Sequence, residues 1–196
     1  MRFILISILF IQALFGQYFG QNKVQYNEFD WNFIVSPNFN VYYYGDNHDL
    51  AIFTSKVAEE SLDQIGKHLR WRSQKPIKII VYTSHNDFQQ TNIVNVYMSE
   101  GIGGVTELYK NRIVIPFEGS YAQFKHVIHH ELVHAIINDM IYGGNVQGVL
   151  SGRVLLQVPL WANEGLAEFL SVDWDTKSDM VSVSYTHLTL PTKRIV

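Results

Sequence analysis

The sequence predicts an α+β domain in which a small mixed β-sheet packs on helices. Compact runs of β-branched and aromatic residues, of which residues 77–82 are the clearest, are typical of strands. Longer segments such as residues 50–69 carry apolar residues at helical spacing, with charged residues between them. Two such helical segments, residues 121–142 and 160–171, follow the last predicted strands with no strand between them. This order is typical of α+β rather than α/β domains.

The first half of the chain supplies strands and helices in the order β, α, β, α. Residues 33–44 alternate in polarity and are rich in aromatic side chains, which predicts a strand interrupted by a Ser-Pro-Asn bend. Residues 50–69 predict an amphipathic helix, and residues 77–82 predict a central strand of the sheet. Ser84 is a suitable N-cap for a short helix that extends to Gln90.

A glycine-rich loop then precedes two short predicted strands, residues 105–109 and 112–116. These strands are candidates for a sheet edge that binds an extended peptide through main-chain hydrogen bonds. An ordinary sheet edge without a ligand explains the same pattern equally well.

Two long helices are predicted to follow the strands. Ser120 is the expected N-cap of the first helix, residues 121–142, and the second helix covers residues 160–171. In the second helix we expect Trp161 to pack in the core. Gly165 is expected to allow the two helices to approach each other closely.

The composition excludes several classes of protein. The chain has 196 residues and a formal net charge of −3, and its lysines and arginines form no cluster. Nucleic acid is therefore not an expected partner. The chain has no cysteine, which excludes disulfide bonds and thiolate ligation of a metal.

Residues 1–16 have the pattern of a secretory signal peptide. Arg2 precedes an apolar stretch over residues 3–15, and cleavage is expected after Gly16. A membrane anchor is the alternative, although the stretch is shorter than the ~20 residues that a membrane-spanning helix needs. We therefore expect an exported protein with no transmembrane span after cleavage.

Residues 183–196 are expected to be foreign to the protein. They begin with Val-Ser-Tyr-Thr-His-Leu, whose codons would resemble the mosaic end of a transposon adapter. We therefore interpret this segment as an adapter-derived artefact, with a genuine β-strand as the alternative. A single domain over residues 17–182, truncated at its C-terminal end, would remain, with 12 basic and 18 acidic residues.

The strongest functional motif is His-Glu-x-x-His at residues 130–134. Side chains four residues apart on a helix lie about 40° apart around the axis and about 6 Å apart along it. His130 and His134 can therefore reach one metal ion. Glu131 projects beside them, where its carboxylate can take a proton from a water molecule that the metal activates. This spacing predicts a zinc site with Glu131 as the general base.

A second motif, Asn-Glu-Gly-Leu-Ala-Glu at residues 163–168, supplies carboxylates in the following helix. Glu164 is the expected third ligand, because a carboxylate oxygen suits zinc beside two imidazoles. Glu168 lies one turn later and is expected to accept the free ring N–H of a ligand histidine. The two glutamates in exchanged roles remain an alternative. His126 and His129 are expected to be structural or surface residues.

Together the two motifs resemble the gluzincins, the thermolysin-like clan of zinc peptidases. More narrowly, residues 84–92, residues 116–121 and both motifs look like the peptidase-MA-like domain of large exported proteins of Gram-negative envelopes, over residues 18–180. The resemblance implies a zincin-like fold, a Zn²⁺ cofactor and a peptide or protein substrate. It also implies a periplasmic, outer-membrane-associated or secreted location. A WD-type β-propeller, a source of envelope partners, follows this domain in such proteins and would be missing here.

By this resemblance, His130, His134 and Glu164 correspond to the zinc ligands, Glu131 to the catalytic glutamate and Glu168 to the acid that supports a ligand histidine. The sequence departs from the clan at one point, because no Tyr or His follows Glu168 within the predicted domain to stabilise an oxyanion. A non-catalytic, zinc-containing envelope scaffold or binding module is therefore the alternative to a peptidase. A metal-free domain is a third possibility.

Overall fold

The computed structural model describes residues 23, 25–73, 75–93, 98–99, 101–107, 110–142 and 158–171. The predicted signal peptide, the glycines that follow the motif helix and the predicted artefact at residues 183–196 lie outside the described residues. Within the described ranges, no helix combines the length and the apolar character needed to cross a membrane.

The α+β prediction is confirmed, since a mixed sheet packs against helices. The strands are β1 (Trp31–Val35), β2 (Phe39–Tyr44), β3 (Ile77–Tyr82), β4 (Val105–Glu107) and β5 (Arg112–Pro116). The helices of the described ranges are α1 (His48–Leu69), α2 (His85–Gln89), α3 (Tyr121–Tyr142) and α4 (Leu160–Ser171). Each element lies within a few residues of its predicted position.

The strands are arranged in the order β1-β2-β3-β5-β4. The pairs β2–β3 and β3–β5 are parallel, whereas β1 and β4 run antiparallel to their neighbours. β3 is central, as predicted, and Ile79 at its middle lies between Val41 and Ile113 of the adjacent strands. β4 forms one edge of the sheet, next to the helix that carries the histidine motif.

The bend predicted inside residues 33–44 separates two paired strands, β1 and β2. The carboxylate of Glu59, on α1, holds this bend. It accepts hydrogen bonds from the hydroxyl of Ser36 (2.6 Å), the main-chain N–H of Asn38 (2.9 Å) and the side-chain amide of Asn38 (2.7 Å). A single charged residue therefore joins the hairpin to the helix that packs on the sheet.

The predicted N-caps of two helices are also observed. The hydroxyl of Ser84 accepts a hydrogen bond from the main-chain N–H of Asp87 (3.1 Å) at the start of α2. The hydroxyl of Ser120 accepts one from the N–H of Gln123 (3.4 Å) at the start of α3. Both serines satisfy donors that the first turn of a helix leaves without partners.

The main core lies between the sheet and the helices α1 and α3. Its fully buried residues include Val41, Ile79, Ile113, Ile65, Ile128 and Leu132. A smaller apolar cluster covers the opposite face of the sheet and includes Phe88, Tyr82 and Val114, with Ile102 and Val105 packed against it. Through Ile102 and Val105, this second cluster also contacts the segment that leads into β4.

Candidate metal centre

The helix α3 carries the histidine motif through the middle of the domain. It packs against α1, β4 and β5, and against α4. The apolar residues that flank Glu131 on this helix are all buried: Ile128, Leu132, Val133 and Ile136. His134 and Glu131 are buried as well, with 9% and 7% of their surface exposed. The motif therefore lies at a junction between the core and the helix α4.

Three predicted ligand atoms converge at this junction. Nε2 of His130 and Nε2 of His134 lie 3.2 Å apart. Oε2 of Glu164, on α4, lies 3.4 Å from the first of these nitrogens and 3.5 Å from the second. The three atoms form a nearly equilateral triangle, and these residues are one of the groups in the described ranges that could hold a metal ion.

The size of this triangle fits tetrahedral zinc. Zinc binds imidazole nitrogen and carboxylate oxygen at about 2.0–2.2 Å, and donors at those distances in a tetrahedron lie about 3.3–3.6 Å apart. The observed separations of 3.2, 3.4 and 3.5 Å approach this spacing. Two imidazoles and one carboxylate, with a position left open, are also a donor set that catalytic zinc sites use.

The electrostatics of the triangle favour a charged carboxylate. Hydrogen bonding from His130, and then from His134, lowers the pKa of Glu164 to about 2. Burial lowers the pKa of His134, but the hydrogen bond with Glu164 and the charge of Glu131 outweigh burial and raise it. Each group therefore stabilises the charge of the other, and a divalent cation would supply the same positive charge to Glu164.

Glu131 points to the other side of the histidine pair, toward the sheet. Burial raises the pKa of its carboxyl group, against a lowering influence from the hydroxyl of Thr106 and from the two motif histidines. The Thr106 hydroxyl, on β4, lies 2.7 Å from Oε2 of Glu131 and 3.0 Å from its main-chain oxygen. A carboxylate with a raised pKa suits proton transfer near neutral pH better than an exposed one.

Gly104 lies directly against the side chain of Glu131. A Cβ atom at this position would lie 2.9 Å from Cγ of Glu131 and 2.9 Å from Cγ2 of Ile115, closer than real Cβ contacts. It would also lie 3.1 Å from Oε1 of Glu131. The glycine therefore provides the space in which the carboxylate lies.

Glu168 lies one turn beyond Glu164, and its Oε2 is 3.4 Å from Nδ1 of His130. This is the ring nitrogen that the triangle does not use. The same oxygen lies 3.6 Å from Nε2 of His126, which was expected to be a structural or surface residue. His126, His130 and Glu168 form a second group with metal-ligand spacing in the described ranges. His126 thus lies beside the centre, a position that the motif alone did not indicate.

His129 has a different environment from the motif histidines. Its side chain is buried, and burial followed by the charge of His126 lowers its pKa to about 4. It belongs to neither group of potential ligands. The expectation of a structural role therefore agrees with its position.

A cavity of about 690 Å³ opens beside the triangle. It is lined on one side by His130, Glu131 and His134 of α3 and by Glu164 of α4, and on the other by Thr106 of β4. The three candidate ligand atoms, the buried carboxylate of Glu131 and the edge strand therefore all face one space. This space is large enough for several residues of an extended peptide.

Two expectations about α4 are wrong. Gly165 does not serve close packing, since a Cβ atom there would meet nothing within 4 Å. Trp161 is 57% exposed instead of buried, and Ala167 is the residue of α4 that enters the core. Both errors have the same cause: the sequence did not show which face of α4 contacts α3.

No protein-family model matches the chain, and no curated protein matches it. The assignment of a function therefore depends on the chemistry of this site.

Proposed function

We propose that this protein is an exported, zinc-dependent peptidase of gluzincin type with a zincin-like fold. His130, His134 and Glu164 would hold the zinc ion, and Glu131 would act as the general base. The convergence of Nε2, Nε2 and Oε2 within 3.5 Å of one another is the observation that supports this proposal most directly. The antiparallel edge strand β4 beside the motif helix supports the proposed fold.

The residues around the triangle have different roles in the proposed hydrolysis of a peptide. Bound zinc supplies a Lewis acid that polarises a carbonyl group and makes water more acidic. Glu131 accepts a proton from the attacking water and passes it to the leaving nitrogen. Its burial suits this role, because a raised pKa allows the carboxyl group to hold the proton between the two transfers. Glu168 accepts the Nδ1–H of His130 and fixes the orientation of that ring.

An extended peptide is the substrate that the cavity favours. β4 is an edge strand that pairs on one side with β5, and Thr106 of this strand lines the cavity. A peptide in β conformation can add to such an edge by main-chain hydrogen bonds. The carbonyl group of the peptide bond to be cleaved would then lie beside Glu131 and the proposed metal ligands. Export is proposed from the pattern of residues 1–16, which lie outside the described residues.

A non-catalytic zinc-containing scaffold of the cell envelope is the second candidate. No Tyr or His follows Glu168 within residues 17–182, so a donor for the oxyanion is not evident in the sequence. Removal of one such donor typically costs about 100-fold or more in rate. The histidine–glutamate triangle would then serve to join α3 to α4.

Metal content and hydrolysis, measured together, test the two candidates. The wild-type protein and Glu131→Gln, purified without chelator, are analysed for metal by mass spectrometry and incubated with a mixture of unstructured peptides. The peptidase proposal predicts about one zinc ion per chain in both proteins and hydrolysis only by the wild type. Zinc in both proteins without hydrolysis would favour the scaffold. No stoichiometric zinc in either protein would overturn both proposals.

A further inference from the structure

We infer that Thr106 and Gly104, which lie outside both motifs, are positioning residues for the carboxylate of Glu131. The hydroxyl of Thr106 holds Oε2, and the absence of a side chain at Gly104 leaves the space that the carboxylate occupies. The kinetic part of this inference rests on the proposed peptidase function. The structural part stands on the contacts alone.

The register of β4 directs Thr106 toward Glu131. Thr106 lies opposite Ile113 of β5, whose side chain is in the main core on the helix side of the sheet. Val105 packs against the cluster on the opposite face. Because residues directly opposite in an antiparallel pair share a face, the Thr106 side chain points to α3. A shift of one residue in register would remove the hydroxyl from Glu131.

The Thr106 hydroxyl can serve the carboxyl group throughout a proton transfer. It donates to Oε2 at 2.7 Å when the group is a carboxylate. When the carboxyl group carries the proton, it can donate to the same hydroxyl, which then donates to the main-chain oxygen of Glu131 at 3.0 Å. The side chain thus keeps a hydrogen-bond partner in both states without changing its position.

Gly104 limits the positions that the Glu131 side chain can adopt. The gap above Cγ is too small for a methyl group, because a Cβ atom would meet Cγ of Glu131 and Cγ2 of Ile115, both at 2.9 Å. The loop cannot easily move away from Glu131, because Ile102 and Val105, which precede and follow Gly104, pack against the smaller apolar cluster on the opposite face of the sheet. An added methyl group would therefore displace the carboxylate.

Kinetics of Thr106 variants provide the first test. Thr106→Val keeps the shape of the side chain but removes the hydroxyl. Misplacement of a reacting group by about 1 Å can cost about 100-fold, so we expect kcat to fall about 10- to 100-fold while KM changes by less than about threefold. Thr106→Ser restores the hydroxyl and should recover most of kcat. Equal kcat values for the wild type and Thr106→Val would overturn the inference.

A pair of glycine variants provides the second test. Gly104→Ala adds a methyl group against Glu131, whereas Gly101→Ala adds it where no atom lies within 4 Å. We expect Gly104→Ala to lower kcat about tenfold or more with its zinc content unchanged. Because Gly101 also lines the cavity, Gly101→Ala is a control for kcat alone, which should stay close to the wild-type value. Equal activity of the two variants would contradict the role of Gly104.

A double-mutant cycle, measured by thermal unfolding, tests the contact independently of any activity. Thr106→Val is introduced into the wild type and into Glu131→Ala, and Tm is measured in the presence of a chelator. Loss of a hydrogen bond to a charged group should lower Tm about 4 °C more in the wild type than in Glu131→Ala. Equal shifts would overturn the inference. If the wild type hydrolyses no peptide but the shifts differ, the proposed function fails and the positioning contact stands.

Discussion

The two glutamates of α4 offer the sharpest prediction about the proposed metal centre. Oε2 of Glu164 lies 3.4 and 3.5 Å from the Nε2 atoms of the two motif histidines. Oε2 of Glu168 lies 3.4 Å from Nδ1 of His130, on the opposite side of that ring. One metal ion bound at Nε2 can therefore bind Glu164 directly, while Glu168 can only orient the imidazole.

This difference sets the order of the expected losses in zinc affinity. Removal of a group that orients a ligand histidine costs about 10- to 100-fold in metal affinity, or about 1.4–2.7 kcal/mol. We expect Glu168→Ala to fall in this range. Glu164→Ala removes a proposed ligand itself and should cost more than about 100-fold.

Competition with a chromogenic chelator at fixed pH and ionic strength measures these affinities. Glu60→Ala is the matched control, because Glu60 is an exposed glutamate on α1. It should bind zinc as tightly as the wild type. A larger loss for Glu168→Ala than for Glu164→Ala would show that the two glutamates have exchanged roles. Unchanged affinity in both variants would refute the metal centre.

Three further predictions concern stability, with urea unfolding as the measurement. Ile79→Ala should lower the free energy of unfolding by about 2–5 kcal/mol because Ile79 is fully buried in the central strand; a loss below about 1 kcal/mol would contradict this packing. Glu59→Ala should cost about 2 kcal/mol through the hydrogen bonds of the bend. Burial raises the pKa of Glu59 from 4.5, but those hydrogen bonds outweigh burial and lower it. The contribution of Glu59 to the free energy of unfolding is therefore complete above pH 4.5 and declines as the pH falls below that value. A difference in this free energy between the wild type and Glu59→Ala that does not depend on pH would refute this linkage. Arg70→Gly should stabilise the protein by about 0.5–1 kcal/mol because Arg70 has a φ of 51° after α1, whereas Arg72→Gly should not.

Most of the secondary structure was predictable from local patterns. The helices over residues 50–69 and 121–142 have apolar residues at helical spacing, and their observed bounds agree within two residues. The caps at Ser84 and Ser120 were predictable because a serine hydroxyl satisfies N–H groups in the first turn that immediately follows it. The β-branched run of β3 is long and apolar enough to predict its central place.

The environment of Glu131 was not predictable in the same way. Thr106 lies 25 residues away in the chain, and its hydroxyl reaches Glu131 only because of the register between β4 and β5. The loop glycines looked alike in sequence, yet a Cβ atom added at Gly104 would meet Glu131, whereas one added at Gly101 would meet nothing within 4 Å. The face of α4 that packs on α3 was also not evident, and Trp161 was misplaced for that reason.

The sequence by itself determines that His130 and His134 lie on one face of α3, because backbone hydrogen bonds set the helical repeat whatever surrounds the helix. Only the tertiary structure decides that Glu164 meets both rings, since that contact depends on the docking of α4 against α3. The same holds for Thr106 and Gly104, which the edge of the sheet brings to the motif from the other side. The relative positions of residues within one helix follow from their spacing in the sequence, whereas contacts between elements follow from how their apolar faces pack.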